Sequence, residues 1–71
     1  MSPSETARIQ QYLRTKFDNN RFTLRPHKAG EDSAEVYLGE EFLAVIYRDE
    51  DDGEVSYDLN MAILEMDLPT L

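Results

Sequence analysis

The 71-residue chain predicts an α+β fold, an N-terminal helix packed on one face of a three- to four-stranded antiparallel β-meander. Three observations carry this. Ile9, Tyr12, Leu13 and Phe17 recur at spacings of three and four, the signature of one helix face. Residues 42–47, FLAVIY, are a short apolar run rich in β-branched and aromatic types, with Gly39 before it and Asp51-Asp52-Gly53 after it, so a strand is favoured over a helix. After that turn Val55, Tyr57, Leu59, Met61 and Ile63 alternate with Ser56, Asp58, Asn60 and Ala62, the period of a half-buried strand.

The helix is expected over about 3–18. Ser2 caps it, Pro3 suits the first helical position, and Glu5 completes a capping box, with Ser4 a competing cap. Arg8, Gln10, Gln11, Arg14 and Thr15 face away from the apolar stripe. Asn19-Asn20 supplies the stop, since asparagine tolerates the left-handed conformation of a helix end, and Lys16 suits the dipole there. The stripe reads as helix-on-sheet core rather than a docking surface. A first strand over about 21–26 alternates Phe22 and Leu24 with Arg21, Thr23 and Arg25, and Pro26 assigns it to an edge. Residues 27–33 form a polar loop, and further strands follow over about 34–38, 42–48 and 55–64. In the tail, 65–71, Leu68 is expected to tuck under the sheet and residues 69–71 to fray.

Both turns can be tested against register. Asp-Gly is a strong hairpin signal, because a type I′ turn needs positive φ at both central residues. With Asp52-Gly53 as the loop, Asp51 sits opposite Glu54, and Ile46, Ala44 and Phe42 oppose Leu59, Met61 and Ile63. A slip of one would set Ile46 against Asp58. The Gly39 turn admits two forms. A three-residue loop pairs Leu38 with Phe42 and Val36 with Ala44, while a two-residue loop, Gly39-Glu40, pairs Tyr37 with Phe42 and sets Val36 beside Leu43 and Val45 on the opposite face. That opposite face would then need a cover.

A chain of this length supports one domain, 1–71, and small domains are marginal alone. It has no cysteine to staple it, so self-association is one physical remedy. No apolar run approaches the roughly 20 residues of a membrane span, and no signal peptide is expected, since the N-terminal residues lack a charged and then apolar pattern. A cytoplasmic protein with no membrane partner is expected. The net charge of −8 is unevenly placed: residues 1–28 carry six basic against two acidic residues, and residues 29–71 carry Arg48 alone against thirteen. The plainer reading is a basic helix and edge strand lying near an acidic sheet rim. Nucleic acid is disfavoured, because the larger acidic set repels phosphate.

With the helix pattern YLR followed by Phe17, the segments DSAEVYLGEEF, DEDDGEVSY and NMAIL resemble a family of small alphaproteobacterial proteins known as a domain of unknown function. The resemblance covers nearly the whole chain. It implies a bacterial cytosolic origin, and no activity, catalytic residue or cofactor comes with it.

Two clusters invite a chemical reading. Asp49, Asp51, Asp52 and Glu54 at the hairpin tip could hold a hard cation weakly. The EF-hand template fails, because Arg48 falls at its first ligand position, and a solvated turn that discourages edge pairing is the plainer account. His27 is the only histidine and has no nucleophile or paired carboxylate near it in sequence. Gly-rich phosphate loops, zinc-protease helices and nucleophile elbows are all missing. Tyr37, Tyr47 and Tyr57 lie on neighbouring strands as rim residues or interface anchors. The expectation is a non-enzymatic protein-interaction module with no cofactor. Its partner is another protein or a second copy, met through Leu43, Val45, Val36 and Tyr47. The alternative is a weak metal- or small-ligand-binding protein using residues 49–54.

Overall fold

The computed structural model describes residues 1–27 and 32–71. It has helix α1 (Pro3–Lys16), strands β1 (Phe22–Pro26), β2 (Ser33–Leu38), β3 (Glu41–Asp51) and β4 (Glu54–Asn60), and a 3₁₀ turn, Glu65–Asp67. The strands form one open antiparallel sheet in the order β1-β2-β3-β4, so the fold is α+β as predicted. Most of the predicted polar loop, residues 28–31, lies outside the described residues.

Local chemistry sets both ends of α1. The Ser2 hydroxyl accepts from the Glu5 N–H, and the Glu5 carboxylate accepts from the Ser2 N–H, each at 3.1 Å. The capping box is therefore made by Ser2 and not by Ser4. The helix stops earlier than predicted. Asp18, with φ +50°, takes the left-handed position assigned to Asn19-Asn20. The Asp18 and Asn19 amides then donate to the carbonyls of Thr15 and Arg14 at 3.3 and 3.0 Å, a Schellman closure.

The Asp52-Gly53 turn behaves as its composition requires. Both residues have positive φ, and Asp51↔Glu54 and Ile46↔Leu59 pair as expected. Pairing ends at Val45↔Asn60, so the predicted Ala44–Met61 and Phe42–Ile63 pairs are not made and β4 stops at residue 60 rather than 64.

The Gly39 turn takes neither predicted form unaltered. Its loop is the two-residue one, with Gly39 at φ +64° and Tyr37 opposite Phe42. The register then shifts so that Val36 meets Ala44, leaving Leu43 as the extra residue of a bulge. The bulge resolves the conflict between turn chemistry and core patterning. Val36 is fully buried in the core with Ile9, Leu13, Phe22, Ala44 and Ile46, and Leu43 packs against that cluster.

The helix packs chiefly on β1, and its side chains close that strand's outer edge. The Leu24 N–H donates to Gln10 Oε1 at 3.0 Å, and Arg14 Nε donates to the Phe22 carbonyl at 2.8 Å. Gln10 and Arg14, expected to face solvent, thus satisfy backbone groups that an edge strand would leave open. Among the described residues no helix is long and apolar enough to cross a membrane.

Candidate docking groove

Because α1 sits over β1, it leaves the β4 side of the same sheet face uncovered. Only Ile9 and Leu13 of the predicted stripe are buried; Tyr12 is 60% exposed and Phe17 55%. These side chains, with Ile46 and Leu59 on the sheet, line an open and largely apolar groove of about 610 Å³. Arg8 and Lys16 stand on its rim, and Glu5 and Tyr57 close one end. The reading of the stripe as pure core therefore holds for half of it. Tyr12 and Phe17 face a space that no part of the described chain fills.

A polar clasp fixes the closed end. The Tyr57 hydroxyl donates to Glu5 Oε2 at 2.5 Å, and Arg48 Nε donates to the same oxygen at 2.9 Å. Arg48 also reaches Glu50 at 3.0 Å and Asp32 at 3.4 Å, and Asp32 pairs with the terminal amine of Met1 at 2.6 Å. The hydrogen bond from Tyr57, then the Ser2 amide and Arg48, hold the Glu5 carboxyl down to about 2. The same bond to Glu5 pushes Tyr57 up, and the carboxylates of Glu5 and Glu50 push Arg48 up. A saturated carboxylate and a phenol held in its protonated form make a fastening between helix and sheet, not a base poised at neutral pH. One signal in the sequence points to this cluster: Arg48 is the single basic residue after position 28.

The chain beyond β4 is the groove's counterpart. Residues 61–71 leave the sheet as an arm whose large apolar side chains stay exposed among the described residues. Ile63 is 64% exposed and Met66 85%, and Met61, Leu64 and Leu68 are exposed as well. The predicted tuck of Leu68 under the sheet does not occur.

The other predicted sites are more ordinary. Of the four interface candidates, Val36 is in the core and Leu43 packs against it, so no joint patch with Val45 and Tyr47 forms. Val45 is half-buried and Tyr47 exposed. The opposite sheet face carries a small cluster of its own, with the Arg25 guanidinium 3.8 Å over the Tyr37 ring and Phe42 edge-on to that ring at 5.8 Å. His27 Nδ1 lies 2.9 Å from the Ser33 hydroxyl and its ring meets Tyr47 edge-on. At the hairpin tip, Asp49, Asp51, Asp52 and Glu54 do not converge; no group of three or more His, Asp or Glu side chains among the described residues is placed to hold a metal ion.

The chain matches no curated protein and no solved structure. A family model does match, over residues 5–67, a span that includes α1 from Glu5 onward, all four strands and the arm as far as Asp67. Its description is a protein of unknown function, DUF3126, and the chain belongs to that family.

Proposed function

We propose that this protein is a non-enzymatic interaction module of the bacterial cytosol that self-associates through the β4 side of its helix-bearing face. The observation that supports this is the groove itself. Tyr12, Phe17 and Leu59 leave a contiguous apolar surface beside an edge strand, and such surfaces mark protein contacts. This relocates the contact from the opposite face, where Val36 is buried in the core and Leu43 packs against it, leaving Val45 and Tyr47 of the residues expected to meet a partner.

Sedimentation velocity at rising protein concentration tests the reading. The expected result is a concentration-dependent dimer, lost in the double variant Tyr12→Lys, Phe17→Lys while far-UV circular dichroism is unchanged. Val45→Lys, on the opposite face, should leave the dimer intact. A chain that stays monomeric throughout, or a dimer that Val45→Lys alone dissolves, overturns it.

A further inference from the structure

The groove and the arm are complementary in three independent respects. The first is chemical. The groove offers Tyr12, Phe17 and Leu59, and the arm offers Ile63, Leu64 and Met66, the last a flexible thioether that fills irregular apolar gaps and packs well on aromatic rings. The second is electrostatic. The rim presents Arg8 and Lys16, which make no ion pair among the described residues, and the arm carries Glu65 and Asp67 with no basic residue. Glu5, the acidic group at the groove, is already engaged by Arg48 and Tyr57. The third is area. The chain exposes 5644 Å², whereas a folded monomer of 8.2 kDa exposes about 4,500 Å². The excess of roughly 1,100 Å² exceeds the ~800 Å² that each partner of a standard interface buries. The shape agrees. The radius of gyration is 13.4 Å, against about 11 Å for a compact chain of this length.

We infer that the occupant of the groove is the C-terminal arm of a second copy, residues 61–68, exchanged reciprocally so that Glu65 and Asp67 of each copy meet Arg8 and Lys16 of the other. This deepens the self-association reading and rests on it. A two-fold pair that trades arms covers both grooves and both arms at once and leaves no surface to propagate an open chain.

Charge-reversed variants of the full chain test it, and all four positions are exposed, so folding is not at stake. Arg8→Glu with Lys16→Glu reverses the rim. Glu65→Lys with Asp67→Lys reverses the arm. Each pair alone should weaken the dimer about tenfold or more at low salt. Mixing the two variants should restore a heterodimer of near-native strength, because an acidic arm then meets a basic rim at one junction and a basic arm an acidic rim at the other. Circular dichroism confirms folding of each. In a mixed sample of isotope-labelled and unlabelled native chain, isotope-filtered NMR should show contacts from Met66 to the Tyr12 and Phe17 rings of the other copy. A dimer that survives both reversals, or a mixture no stronger than its components, overturns the exchange while leaving self-association standing. A chain monomeric at every concentration overturns both. Met66 contacts confined to its own chain's groove likewise overturn the exchange.

Discussion

At the β1 edge of the sheet the Leu24 amide and the Phe22 carbonyl are taken up by Gln10 and Arg14 from the helix, and Pro26 removes one further donor. At the β4 edge all seven residues of the strand are exposed, and the helix reaches it through the hydrogen bond between Tyr57 and Glu5. One helix of 14 residues has been spent on one half of a four-stranded sheet. A core of Ile9, Leu13, Phe22, Val36, Ala44 and Ile46 is sealed on that half, and the other half is an apolar surface still in water. The contrast teaches that the domain is built as a complete small core plus an incomplete one, and that the incomplete one coincides with the unburied arm.

The sharpest way to break the contrast is to put the same charge in each half. Val36→Asp places a carboxylate where the native side chain is fully buried, with no partner, and should cost about 4 kcal/mol or more, enough to unfold a domain this small. Val55→Asp lies on the same face near the hairpin tip and is 44% exposed. It should cost less than about 1 kcal/mol, mostly from repulsion by its acidic neighbours. Urea denaturation of both at one fixed protein concentration checks this, because self-association shifts apparent stability. Equal midpoints would mean that the β4 half is as well packed as the other.

A smaller effect separates the two turns. Gly39 and Gly53 both have positive φ, so alanine at either carries a left-handed strain of about 1–2 kcal/mol. The added Cβ at Gly53 meets open space. At Gly39 it would run into the guanidinium of Arg21, which must swing away. Gly39 also donates its N–H to the Arg21 carbonyl at 3.0 Å, tying the turn to the start of β1. Gly39→Ala should therefore lower the urea midpoint more than Gly53→Ala. The reverse order would detach the Gly39 turn, and the Leu43 bulge behind it, from the sealed core.

How far the sequence reads through to this structure follows the same division. Helix, strands and the type I′ turn were legible, because capping boxes, period-two alternation and Asp-Gly are local signals. The Gly39 turn was legible as a turn, but neither its choice between two and three loop residues nor its bulge was. A bulge is a compromise between a turn two residues long and a Val36 that must face the core, and only the packed sheet shows which demand yields. The groove was not legible, since Tyr12 and Phe17 share the helical period of Ile9 and Leu13. Periodicity tells which face of a helix is apolar and says nothing of how wide the surface beneath it is covered. Gln10 and Arg14 were misassigned to solvent for a related reason: polar residues at the margin of an apolar stripe serve an edge strand whose position no sequence period reports. The arm followed the strand's alternation to Ile63, and so was taken for four more residues of β4.

The finest comparison concerns the clasp that joins the halves. Glu5 sits at about 2 in the folded chain and at the ordinary 4.5 when unfolded, so its folded form binds its proton less readily. Its contribution is therefore complete above pH 4.5 and is lost as the pH falls toward 2, by linkage. Glu5→Gln removes this titration while keeping a side chain of the same length. Melting temperatures measured from pH 6 to pH 2.5 should fall less steeply in the variant than in the native chain, since the other carboxylates contribute equally to both. The steeper native slope should be matched by loss of the proposed interchain contacts at Tyr12, because Tyr57 and Arg48 release the helix N-terminus when Glu5 is protonated. Parallel slopes would show that the clasp only decorates the groove's end, and that packing at Ile9 and Leu13 alone sets the angle between helix and β4.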